Sequence, residues 1–223
     1  MATSTHGRRT RPSPPQRPRI AHHMTAPPRE DRRALAVAAA IFIATVVQFA
    51  VGTFVPGIER FENKAFGYRL VFGTAVMLAV PVAWTLARRR RPEISAVPWW
   101  ASALIASSFF VDATGNSLNL YDSWTHFDNL SHFLTWFLLL WGVGLILARV
   151  DMQPWWALGA TVIGLSAVFA IGWEVGEWFT YIRRGHELEG AYEDTLSDQT
   201  LGLFGGVAAA VLADRKCRRG ARN

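Results

Sequence analysis

Six apolar stretches, each about as long as a bilayer is thick, constrain this chain more than any other feature. They cover residues 34–55, 66–87, 98–118, 130–148, 154–181 and 196–213. About 20 residues of helix cross the ~30 Å hydrocarbon layer at ~1.5 Å per residue. Lipid offers no partner to a bare backbone N–H or C=O, so such stretches are expected to be helices. The expected fold is all-α: a polytopic membrane bundle of six transmembrane helices across residues 34–214. The chain-wide apolar content, 51% of 223 residues, understates this because a polar tail dilutes it. That tail, residues 1–33, carries eight Arg and six Pro without any apolar period. It reads as a disordered basic segment. Arg32-Arg33 before an apolar run looks like a twin-arginine signal. The run is too long for a signal core, and no A-x-A cleavage site closes it, so it reads as a span.

Charge sets the expected orientation. With the N-terminus in the cytoplasm, 18 of the 23 Lys and Arg fall on that side: the tail, the run 88–91, Arg149 and five residues after Asp214. Arg60, Lys64, Arg69, Arg183 and Arg184 fall on the other. Basic residues are retained on the cytoplasmic side, so both termini are expected there, with residues 215–223 as a second basic tail. Trp84, Trp99, Trp100, Trp155 and Trp156 then lie at inner span ends, and Trp173 and Trp178 at an outer one, as interfacial belts do. The expected partners are the bilayer and anionic lipid headgroups at the basic tails, rather than nucleic acid. The single Cys217 excludes a disulfide framework or a cysteine zinc site within one chain.

The 17 acids are distributed the other way. Only Glu30, Asp31, Glu93, Asp151 and Asp214 fall on the cytoplasmic side; twelve lie outside or in the outer parts of spans. Depth arithmetic locates them more closely. Asp112 lies ~21 Å up the third span, His132 ~25 Å up the fourth and Glu174 ~30 Å up the fifth. Asp198 and Asp194 lie ~24 Å and ~30 Å up the sixth. Four spans thus put ionisable groups in one slab. The first two hold none within their apolar cores and are expected to flank the working bundle.

Spacing strengthens this. Asp128 and His132 are four apart, Glu174 and Glu177 three apart, Asp194 and Asp198 four apart, so each pair shares a helix face. Gly172 and Gly176 flank Glu174, and Gly202 and Gly206 follow Asp198, at a spacing that lets helices approach. The candidate site residues are His126, Asp128, His132, Glu174, Glu177, Asp194 and Asp198. Like charges 4 Å apart repel by ~4 kcal/mol at an effective dielectric near 20. Five close carboxylates therefore need protons, Arg partners or metal ions. Two imidazoles with several carboxylates suit Zn, Fe or Mn. In a metal reading His126, Asp128, His132, Glu174 and Asp198 are ligands, and Glu177 or Asp194 is the general base. The enzyme so implied would act on a lipid-like substrate. The alternatives are an ion- or proton-coupled transporter using the same acids, and a structural polar network capping helix ends. Glu-x-x-His and H-E-x-x-H patterns are absent, as are a G-x-S-x-G elbow around Ser131, a Walker motif and a dinucleotide fingerprint.

Tyr121-Asp122 followed by His126, Trp173-Glu174-x-x-Glu177-Trp178, and Asp194-Thr195 with Asp198 resemble the YjdF-like bacterial integral membrane proteins, classed as a domain of unknown function. The resemblance covers residues 112–204. It implies a multi-span protein of the bacterial inner (plasma) membrane with shared acidic and His positions, and it implies no particular activity.

Overall fold

The computed structural model describes residues 29–62, 64–150, 152–180, 182–184 and 190–220. The tail before Arg29 with its His6, His22 and His23, the loop acids Glu187 and Glu189, Asp151, Tyr181 and the last three residues lie outside the described residues. Seven α-helices make up the described fold: α1 (Arg29–Phe54), α2 (Phe66–Arg90), α3 (Trp99–Ser117), α4 (Leu120–Ser123), α5 (Phe127–Leu147), α6 (Ala157–Thr180) and α7 (Ala191–Gly220). Helix ends carry complementary charge. Glu30 and Asp31 sit in the first turn of α1, and Arg88, Arg89 and Arg90 in the last turn of α2, matching the helix dipole. Several edges differ from expectation. α1 starts ahead of residue 34, α5 starts at Phe127, and α7 runs well past 196–213 at both ends.

Five helices, α1, α2, α5, α6 and α7, are long and apolar enough to cross a membrane. Their outer faces are studded with exposed apolar side chains such as Ile43, Val47, Val71, Val168, Ile171 and Phe204. A surface of that kind suits lipid and would aggregate in water. The third stretch also folds as a helix, α3, but with a different character. Ten of its residues are buried, among them Ala101, Ser102, Ala103, Ser108, Gly115 and Asn116. It is a central helix, walled by α1, α2 and α5. Shielded from lipid, it can use small and polar residues where the other helices need large apolar ones.

Two apolar clusters hold the bundle together. Phe49, Phe61, Phe66, Met77, Ala106, Phe109 and Ala113 join α1, α2 and α3. Trp136, Leu140, Leu158, Val162, Ala170, Ala209, Ala210 and Ala213 join α5, α6 and α7. The halves meet where α5 crosses α3. A methyl on Gly142 would stand 2.8 Å from the Ala101 carbonyl oxygen, so the backbones touch there.

Candidate metal centre

The first turn of α5 is pinned before any polar group acts. The Phe127 ring fills the space left by the missing side chain of Gly115 and meets Tyr121 edge-on, with centroids 4.9 Å apart at 90°. That fixes the rotation of α5 and turns Asp128 and His132 toward α7. On α7, Gly205 brings the backbone onto α5: a methyl there would lie 2.5 Å from Phe133 O and 2.9 Å from Phe137 N. Gly202 faces Trp136, and Gly206 faces Ser166 of α6. The Ser166 hydroxyl donates to Gly202 O at 2.9 Å, tying α6 to α7. Asp198 lies one turn before Gly202, as His132 lies one turn before Trp136, so this close crossing sets their separation.

His132 Nε2 stands 3.4 Å from Asp198 Oδ2 and 3.6 Å from Asp128 Oδ1. One donor atom from each of the three residues lies within 4.8 Å of the others. Asp198 is only 2% exposed, and its Oδ1 is buried with no hydrogen-bond partner. A buried carboxylate oxygen left bare costs about 1–3 kcal/mol or more, so a proton or a cation is called for that the described residues do not supply. The spacing fits a cation. Ligand bonds of ~2.1 Å in a tetrahedral shell put donor atoms ~3.4 Å apart. A His with two carboxylates is a borderline-hard donor set suited to Zn, Fe or Mn. The Asp128 side chain is 37% exposed and forms the open side.

The other sequence candidates take different places. Glu174 of α6 is buried and lies close to Thr195 of α7. Glu177 is half-buried one turn further along α6, and Asp194 is exposed one turn before Asp198. Asp128, Asp194, Glu174 and Glu177 all lie within electrostatic reach of Asp198. His126 is exposed at the N-cap of α5, ahead of the helix, and is not in the three-residue group. Gly172 and Gly176 have open space where a side chain would go, so the close approach belongs to α7 and not to α6.

A second polar layer lies beside the first, and α2 enters it, contrary to its expected role as a bare flank. Arg69 pairs with Asp112 of α3, both nearly buried. Its Nε also donates to Lys64 O at 3.0 Å, and its guanidinium lies 5.8 Å from the centroid of the Trp173 ring. Tyr121 donates to Asp112 Oδ1 at 3.1 Å and is 2.7 Å from Ser131 Oγ. A carboxylate only accepts, so the Ser131 hydroxyl donates to Tyr121. Burial first, and then the charge of Asp112, push the Tyr121 phenol well above its usual range, which keeps it protonated as a donor. Ser131 is therefore a buried link and not an exposed nucleophile. Sequence reasoning missed Arg69. Its signal was position: a cation one turn inside an apolar run needs a partner.

Fold and site together define a multi-span membrane protein with a buried Asp/His/Asp group at one end of its helix bundle. The family described as predicted membrane protein DUF2238 matches residues 34–219, and the chain belongs to that family. No curated protein matches it, and no solved structure does.

Proposed function

We propose that the chain is a metal-dependent membrane enzyme acting on a lipid-like substrate, with Asp128, His132 and Asp198 as ligands. The observation that carries this is the convergence of one donor atom each from Asp128, His132 and Asp198, on two helices, with a second Asp198 oxygen buried and unpartnered among the described residues. A bound divalent ion would polarise a substrate oxygen and lower the pKa of water. Glu177 or Asp194 is the general base, and Glu174, buried on α6, stands by as a further acid. The reading includes six spans with α3 as the third, both termini in the cytoplasm, and the site near the outer face of a bacterial inner membrane. It keeps residues 1–33 and 215–223 as basic tails on anionic lipid, and the likeness to the YjdF-like proteins. The charge distribution and the positions of the aromatic belts support it.

Elemental analysis of protein purified after metal-replete growth tests the reading. The expected result is close to one Zn, Fe or Mn per chain in the natural protein. His132→Ala is expected to hold less than about a tenth of that while keeping its helical content. Equal metal in both proteins, or none in either, refutes the ligand set.

A further inference from the structure

Beside the metal ligands, an open groove of about 440 Å³ runs along the seam of α5 and α7. Its walls are Asn129, Glu193, Leu196, Ser197, Thr200 and Leu201. Asn129 and Ser197 are the chain neighbours of Asp128 and Asp198, and Leu201 lies one turn below Asp198. The groove therefore flanks the Asp/His/Asp group. It opens sideways: Leu196 is 53% exposed and Phe204 57%, and with Val207 and Val211 they continue as an apolar stripe down the outer face of α7. Such a stripe suits an acyl chain, with the groove at head level where α7 begins.

The walls also state what the head must be. Glu193 is the only charged wall residue among the described residues, and Asn129 and Ser197 offer both donors and acceptors. Thr200 spends its own proton on Leu196 O at 2.7 Å and so presents lone pairs to the groove. Asp194, exposed one turn before Asp198, adds a second negative charge, whereas a cation held by Asp128 and Asp198 would offset theirs. Among the described cations at this end of the bundle, Lys64 pairs with Asp122 at 2.9 Å, Arg69 with Asp112, and Arg183 lies over the Phe179 ring. Acceptors and negative charge repel a phosphate and call for hydrogen-bond donors.

We propose that this groove binds a membrane lipid whose head carries hydroxyl donors and no negative charge, and that this lipid class is the substrate presented to the Asp/His/Asp group. The substrate role rests on the metal reading above; the binding itself does not. The test uses the full chain in phosphatidylcholine nanodiscs, with dioleoylglycerol and phosphatidylglycerol offered in competition and retained lipid read by mass spectrometry. Both lipids carry hydroxyls; they differ in the phosphoglycerol head and its negative charge, and Glu193→Lys separates the charge from the head size. The expected result is at least a tenfold preference for dioleoylglycerol. Thr200→Trp, on a lipid-facing position, should cut that binding tenfold or more. Glu193→Lys should erase or reverse the preference. Equal or stronger retention of phosphatidylglycerol by the natural chain overturns the proposal, and so does undiminished binding in Thr200→Trp. Metal content is measured on the same samples. Metal without lipid preference overturns the groove alone. Lipid preference without metal supports the groove as a binding site and overturns the enzyme reading.

Discussion

Replacing Gly205 by Ala adds one methyl group at the point where α7 lies on α5. That methyl would stand 2.5 Å from the Phe133 carbonyl oxygen and 2.9 Å from the Phe137 nitrogen. Both are backbone atoms and cannot rotate aside. An unstrained carbon–oxygen contact needs about 3.3 Å, so the helices must part by roughly 0.8 Å. Asp198 lies seven residues, or ~10 Å, along the same rigid helix and moves with it. Metal–ligand bonds tolerate about ±0.2 Å. The displaced Asp198 would leave the ligand set, and affinity is expected to fall about 100-fold, with an overpacking cost of about 1–3 kcal/mol in stability. Gly172→Ala is the control, since that methyl enters open space on α6. The assay is competition with a chromophoric chelator on detergent-purified, monodisperse protein. Gly205→Ala should lose metal while Gly172→Ala keeps it. A folded Gly205→Ala chain with unchanged affinity would refute the idea that the crossing sets the ligand distance.

Three further outcomes follow from the same geometry. Arg69→Met leaves the buried Asp112 carboxylate without its counter-charge and should cost about 3–5 kcal/mol in chemical denaturation, whereas Arg69→Met with Asp112→Asn should regain more than half of that. A single-variant cost below ~1 kcal/mol would mean the pair is solvated. Ala65→Gly relieves a left-handed backbone at φ 51° just before α2 and should stabilise by about 0.5–1 kcal/mol, seen as a higher melting midpoint. Carboxylate and imidazole ligands bind metal only when deprotonated, so acid competes with the ion. Dialysis at about pH 5 instead of about pH 8 should weaken metal retention by more than about tenfold, and retention that rises in acid would exclude this donor set.

The Asp128, His132 and Asp198 grouping was legible because helices make sequence spacing into geometry. Asp128 and His132 are four apart on one helix, and depth alone put Asp198 level with them on another. Depth does not give rotation, however. Glu174 lies at a similar level, yet it is outside the three-residue group. Small-x-x-x-small spacing shows that a helix has a small face, not which neighbour meets it. Gly202 and Gly206 are in contact and Gly172 and Gly176 are not. Arg69 was hidden by its position at a span end, where positive charge reads as a topology signal rather than as a partner for Asp112. α3 was legible as a helix from its length, but its central position could be known only from what packs around it.

That central position bears on how the chain is made. A segment rich in Ala and Ser, with an Asp and an Asn near its end, gains little by leaving the insertion machinery for lipid on its own. The surface that best accepts α3 includes Gly142 of α5, which emerges from the ribosome later. If α3 spans the membrane, it is expected to stay with α1 and α2 until its downstream neighbour arrives. Truncation before residue 142 should strand a half-built chain that quality-control proteases recognise.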